Sequence, residues 1–404
     1  MSYLFFIFFI LAVLTCGSIG FGPFSLRVYA TVLMLLYLLY SYRRGMKNKP
    51  SIDRSYVWLF LCFVGYLFIA LVINGGLDQF NFFHKVLAFY LVCCVVFFAV
   101  DMQVNSYHQI NILIFVLALI VLFDSIITLL QYLNHPIGWS IGTFFRGIEQ
   151  FSDNAETYGV DFGRSILPGI FGHPVGNAFF LATCTPFFLS RFGQGSGIFQ
   201  RVFYLFVIIL SIVACFYIQQ RAAFFLLIAV IIYHMVRALF FSRKRKLIFP
   251  FLALIILILG IYAIDFNHFE WGRLTDKDNS DRAVLWETAS RVINESFLFG
   301  NPILYNSQEE LSAHNIILDS FVTSGVLGAI IMSILYFKTL IVSFLSSFIT
   351  KRYSLYTISF AYSVFICMIM GLFHNTSFYT GEALIFLSLA LMLKSQELDK
   401  QTMC

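Results

Sequence analysis

Charge is scarce in this chain. Only 12% of its 404 residues are Asp, Glu, Lys or Arg, against 60% hydrophobic residues and a mean hydropathy of +0.85. No soluble globular core could hide that much apolar surface, and a disordered chain needs the opposite balance. A disulfide framework is missing too. All eight cysteines but the terminal Cys404 lie in apolar runs, where a thiol behaves as a small hydrophobe. Familiar cofactor signatures are also lacking: there is no Cys-His zinc spacing, no Gly-x-Ser-x-Gly elbow and no paired carboxylates at a recognisable spacing. Gly193-Gln-Gly195-Ser-Gly197 has neither the lysine nor the preceding strand of a phosphate loop and reads as a flexible turn. Asp276, Asp278 and Asp281 lack the turn glycine and bidentate glutamate of a calcium loop and read as a solvated acidic segment, so no metal is expected.

What the chain does have is apolar length. A lone secretory leader cannot explain it, because residues 3 to 16 are only the first of about a dozen such stretches. Runs of about 17 to 22 residues without strand-like alternation select membrane helices over a barrel. Spans are expected at 2–18, 25–41, 56–74, 84–100, 110–132, 174–190, 202–219, 222–241, 247–264, 315–346, 354–373 and 378–394. The tenth is long for one crossing. It should kink at Ser324-Gly325 or Gly328, or begin along the interface near His314. The expected fold is therefore an all-α polytopic bundle of about 12 transmembrane helices, one transmembrane domain over 1–404, with both termini on one side.

Basic residues choose that side. Arg43, Arg44, Lys47, Lys49 and Arg54 fall together with Arg243, Lys244, Arg245 and Lys246, and with Arg191, Arg201, Lys351, Arg352, Lys394 and Lys400. That side is expected to be cytoplasmic, so the net charge of +5 marks topology rather than a nucleic-acid surface. The other side receives two long segments, 134–173 and 265–313, rich enough in aromatics, glycines and patterned charge to be ordered and functional. Within the second, residues 280 to 294 place Val284, Ala289, Val292 and Ile293 at near-helical spacing behind Ser280 and Asp281, which predicts a short amphipathic helix.

Chemistry is most plausible where a charge must be explained. Arg221 sits in the reversal between two apolar spans on the side opposite the basic clusters, against the charge rule; a snorkelling helix-end arginine is the blander account. Arg282 and Trp286 share a helix face, so a guanidinium stacked on an indole competes with a substrate role. Arg164 precedes the turn-rich run Ser165 to Pro174 and could equally be an ordinary loop arginine. His314, at the mouth of the tenth span, titrates near neutral pH and can exchange a proton with a sugar hydroxyl, or can serve no chemistry at all. Asn315 follows it. Asp319, Asp124 and Glu382 are carboxylates within spans, which hint at function, although pairing with an arginine explains them more simply. Arginine forks match diphosphate oxygens bidentately and keep their charge at a membrane edge, so a lipid-linked diphosphate fits this set. A transporter or flippase would show related halves and polar groups near the bilayer midplane, and neither is evident.

These residues resemble the bacterial O-antigen ligase and O-antigen polymerase superfamily (the Wzy and WaaL type). The matching pieces are Arg164 with Gly169-Ile-Phe-Gly-His173-Pro174, Gln220-Arg221-Ala222, Arg282 with Trp286, Glu295-Ser-Phe-Leu-Phe-Gly300-Asn-Pro302, and His314-Asn315 followed by Gly325 and Gly328. Where that family often has Ser or Thr, Arg, Gly and Ala, this chain has Gln220, Arg221, Ala222 and Ala223. The resemblance implies a GT-C-like fold in the bacterial inner membrane and metal-independent, inverting glycosyl transfer at the periplasmic face. It implies an undecaprenyl-diphosphate glycan as donor, no cofactor, and room for a chain-length regulator as partner. Carried over by position, Arg221 and Arg282 would hold the diphosphate and His314 would orient or deprotonate the acceptor. Arg164, His173, Trp286, Asn315 and Asp319 would shape the substrate cavity. Polymerisation of lipid-linked repeat units is the expected activity, because the external segment before His314 is only about 50 residues long. Transfer of polymer to lipid A core is the alternative.

Overall fold

The computed structural model describes residues 2–16, 19–21, 24–43, 52–75, 80–146, 167–171, 173–194, 197–218, 220–241, 279–302, 313, 315–349, 353–373 and 382–403. Among them the fold is helical, with one two-residue antiparallel ladder, Gly20–Phe21 against Phe24–Ser25. The helices are α1 Ser2–Thr15, α2 Leu26–Arg43, α3 Ser55–Ile73, α4 Phe80–Gln103, α5 Tyr107–Tyr132, α6 Pro136–Arg146 and α7 Pro174–Gln194. They continue as α8 Ile198–Ile218, α9 Arg221–Phe241, α10 Asn279–Glu295, α11 Ile316–Phe344, α12 Leu355–Phe373 and α13 Ala383–Met403. Every expected span except the ninth coincides with one of these; 247–264 lies outside the described residues.

Hydrocarbon offers a peptide group no hydrogen-bond partner, so an apolar run of this length must close its own helical ladder. Five described helices are long and apolar enough to cross a membrane: Ser55–Ile73, Tyr107–Tyr132, Ile198–Ile218, Ile316–Ile349 and Leu355–Phe373. α3 illustrates the pattern. It buries Phe60, Phe63 and Leu67 while presenting Trp58, Leu61 and Ile69 outward, apolar on both faces as a lipid-bathed helix is and a water-bathed one is not. The chain is thus an all-helical membrane protein. α12 is its hub, packed against α7, α9, α11 and α13 and buried along most of its length.

Polar contacts sort the helix ends into two groups. At one end Lys338 pairs with Asp53 at 2.9 Å and lies 4.2 Å over the Tyr56 ring. There too Arg191 donates to Tyr356 Oη at 3.1 Å, and Lys394 pairs with Glu397 at 2.8 Å and Asp101 at 3.6 Å. Asp399 accepts from Tyr107 Oη, from Ser354 N at 3.0 Å and from Thr357 Oγ1 at 2.8 Å. This cluster corrects the expected end of the last span at 394. Buried Lys394 and Asp399 have partners on α4, α5 and α12, so α13 continues through its polar tail to Met403. At the opposite end Asn74 Nδ2 donates to Gly300 O at 3.0 Å and Asn315 Nδ2 to Leu372 O at 3.3 Å.

α11 breaks at Gly325, which takes φ 67° and ψ −169°. The expected kink is therefore present, and its cause is visible: the turn at 296–301 is wedged into the break. Val326 N donates to Phe297 O at 2.9 Å and Asn301 N to Val322 O at 2.6 Å, so the backbone groups freed by the break find partners. From Val326 onward the helix is about 28 Å long, close to a hydrocarbon core's thickness. Residues 316–324 form a separate helical segment ahead of the break, and it carries Asp319. One helix was not expected. α6, at the start of the long 134–173 segment, lays Gly138 so close to α5 that a Cβ there would stand 2.8 Å from Leu130 Cβ.

Candidate functional site

Arg221 opens α9 immediately after the reversal from α8. Phe224 N donates to Gln220 O at 3.1 Å to close the first turn, and Phe216 meets Phe224 edge-on at 5.7 Å. Ala223 is fully buried, and Ala222, which stands where the resembled family often has glycine, is half-buried. Arg221 itself is half-buried at the positive end of the helix dipole. Guanidinium and dipole together make this point attractive to an anion.

The residue before His314 is held from two sides. Ala313 N donates to Asp319 Oδ1 at 2.8 Å, and Trp286 Nε1 donates to Ala313 O at 3.1 Å. Asn315 is the N-cap of α11: its Oδ1 accepts from Ile317 N at 3.0 Å and Leu318 N at 3.3 Å, while its Nδ2 reaches Leu372 O on α12. Behind these contacts Ala289 and Val292 of α10 pack with Ala313 and Val322. The expected amphipathic helix is thus present over Asn279–Glu295, with one correction. Val284 is exposed, because at 100° per residue it lies about 140° round the helix from Ala289. The expected pairing of Arg282 with Trp286 cannot be traced from Arg282, whose side chain lies outside the described residues; the indole N–H goes to Ala313. His314 and Arg164 also lie outside the described residues.

A second clamp holds the run that leads to His173. Gly169 takes φ 55°, and a Cβ on it would stand 2.3 Å from Asp124 Oδ1 and 2.5 Å from Asn177 Nδ2. Around it Ile170 N donates to Asp124 Oδ1 at 2.9 Å, Gly169 N to Gln131 Oε1 at 2.9 Å, and Asn177 Nδ2 to Leu167 O at 3.1 Å and Thr128 Oγ1 at 2.9 Å. Asp124 therefore answers to a backbone N–H rather than to the guanidinium its sequence position suggested. Beyond the clamp, His173 is exposed and its Nδ1 accepts from Val175 N at 3.2 Å in the first turn of α7. Gln131, Thr128 and Asn177 escaped the sequence reading. The signal was present in Asp124, Thr128 and Gln131, spaced i, i+4 and i+7 on one face of an otherwise apolar span.

Glu382 lies at the head of α13, and Arg27 of α2 lies 5.6 Å from the Phe89 ring centroid. No group of three or more His, Cys, Asp or Glu capable of holding a metal occurs among the described residues; Asp276, Asp278 and the side chain of Asp281 lie outside them.

Helix packing brings the three heads together. α7, α9 and α11 each pack on α12. Arg191 at the far end of α7 meets Tyr356 near the start of α12, while along α9 Tyr233 neighbours Tyr362 and the later Arg237 donates to Ser347 O, ahead of the start of α12, so both helices run antiparallel to α12. Arg221, His173 and Asn315 accordingly gather at the Leu372 end of α12.

No curated protein matches the chain. Residues 206–333, however, match the family model described as O-Antigen ligase. That stretch runs from α8 to beyond the break in α11 and contains Arg221, Arg282, Trp286, His314, Asn315 and Asp319. The match covers about a third of the chain and supports its resemblance to the O-antigen ligase and polymerase superfamily.

Proposed function

We propose that the protein polymerises undecaprenyl-diphosphate-linked oligosaccharide repeat units into O-antigen or capsular polysaccharide by inverting, metal-independent glycosyl transfer. It would lie in the bacterial inner membrane with twelve crossings, both termini in the cytoplasm, and the Leu372 end of α12 facing the periplasm. The observation that carries this reading is Arg221, half-buried at a helix head within the matched domain and on the side that the basic clusters avoid.

In this reading the acceptor hydroxyl attacks the anomeric carbon of the donor's first sugar. The bond from that carbon to the diphosphate oxygen breaks, and undecaprenyl diphosphate leaves with the electron pair. Arg221 and Arg282 stabilise the charge that develops on it. His314 orients the acceptor hydroxyl and takes its proton. Arg164 and His173 line the cavity. A second reading, transfer of finished polymer to lipid A core, is favoured by the description of the matched family.

Deleting the gene separates the two. A polymerase acts before attachment, so its loss leaves core capped by a single repeat unit. Bare core with long chains stranded on the lipid carrier would mean a ligase, and unchanged glycan would remove both readings.

A further inference from the structure

We propose that Trp286 and Asp319 are positioning residues, which act through His314 by fixing Ala313 and do not touch substrate. The inference rests on the glycosyl-transfer reading and gives these two side chains a role different from cavity lining.

Three observations carry it. The first is that both hydrogen-bonding groups of one peptide residue are taken up by side chains from different helices: Ala313 N–H by Asp319 of α11, Ala313 C=O by Trp286 of α10. A loop residue held at both groups has little freedom of its own, and Ala313 is the residue that precedes His314 in the sequence. The second is burial. Asp319 and Ala313 are at most 2% exposed, and Ala313 packs with Ala289, Val292 and Val322. Asp319 Oδ1 is thus sequestered with its backbone partner. The third is the far side of the histidine, where Asn315 caps α11 and ties it to Leu372. The chain is anchored immediately before and immediately after position 314. A general base must sit within about 3 Å of the proton it takes, and a displacement of about 1 Å can cost roughly 10²-fold in rate. Anchors of this kind therefore set the reaction rate without binding anything.

The test uses full-length purified protein and two readouts. Glycosyl transfer from the lipid-linked donor should show Trp286→Phe, which keeps the ring and loses the N–H, lowering kcat by about tenfold or more with KM for the donor little changed. Asp319→Asn retains an oxygen that can accept from Ala313 N–H and should recover most of the activity that Asp319→Ala loses. In a His314→Ala background, Trp286→Phe should cost nothing further, because the two act as one unit. The second readout needs no transfer at all. Modification of His314 by diethyl pyrocarbonate, followed by peptide mass spectrometry, should change by about fivefold in Trp286→Phe, the factor one lost hydrogen bond is worth, with His173 as an unaffected internal reference. A raised KM at constant kcat, or an equal loss in the His314→Ala background, would make Trp286 a substrate contact and overturn the proposal. So would unchanged His314 modification in both Trp286→Phe and Asp319→Ala. Wild-type protein that transfers no sugar would defeat the functional reading, while the modification rates would still decide the positioning.

Discussion

Replacing Gly325 by alanine should destabilise the protein by several kcal/mol. The residue's φ of 67° and ψ of −169° form a combination open essentially to glycine. An added Cβ would stand 2.1 Å from Leu298 O and 2.6 Å from Phe299 N. Both are backbone atoms of the wedge, so no side-chain rotation relieves the overlap and the turn at 296–301 must withdraw. Withdrawal breaks the bonds from Val326 N to Phe297 O and from Asn301 N to Val322 O, and it pulls Leu298 O away from Tyr66 Oη, now 2.6 Å distant. Backbone strain of about 1–3 kcal/mol and about 1 kcal/mol for each of two or three hydrogen bonds add to roughly 3–6 kcal/mol. Thermal unfolding of the detergent-purified protein measures this. Gly65→Ala in α3 is the control: nothing lies within 4 Å of a Cβ there, so helix propensity should leave it unchanged or stabilised by up to about 1 kcal/mol. If Gly325→Ala and Gly65→Ala melt alike, the wedged break is not a feature of the folded protein.

Arg221→Lys keeps the charge and loses the two-pronged contact, so glycan transfer should fall about 100-fold while expression and melting stay near wild type; near-normal polymer would return Arg221 to a snorkelling role. Transfer by purified protein should survive excess chelator, and abolition reversed by a divalent ion would direct attention to Asp276, Asp278 and Asp281. At the other end of the bundle, partial burial pushes the Asp53 carboxyl up, but hydrogen bonds from Ser55 and Lys338 outweigh it and hold the group below its ordinary value. The Asp53–Lys338 latch should therefore contribute in full above about pH 4 and be lost as pH falls through the lowered value. Melting temperatures of wild type and Asp53→Asn should converge in acid, and a constant gap down to pH 3 or so would count against the latch.

The spans were legible because lipid leaves the backbone so few options: an apolar run of sufficient length is a helix whatever its neighbours are. α10 was legible for a related reason, since Ala289, Val292 and Ile293 keep helical spacing in an otherwise polar stretch. α6 was not. Its Gly138 and Gly142 lower helix propensity, and what Gly138 provides, close approach to α5, depends on a packing partner outside the local sequence. The tail of α13 was illegible on similar grounds, because Lys394 and Asp399 look like solvated charges until Asp101, Tyr107 and Ser354 are known to face them. At the candidate site, residue types said little about which contacts their side chains make. Trp286 suggested a partner for Arg282 on its own helix, whereas its indole N–H bonds a loop 27 residues away.

A common arrangement underlies the three segments at the Leu372 end of α12. Loops vary freely because few contacts fix them, yet a chemical step tolerates little misplacement of its groups. Here each loop is anchored by side chains belonging to helices. Asp124, Gln131 and Asn177 grip 167–170, Tyr66 and Asn74 grip 298–300, and Trp286 and Asp319 grip Ala313. The accepting or donating partner in every case is a loop backbone group, which places no demand on the loop's own side chains. Helix anchors of this kind fix the backbone path of a loop whatever its own side chains are.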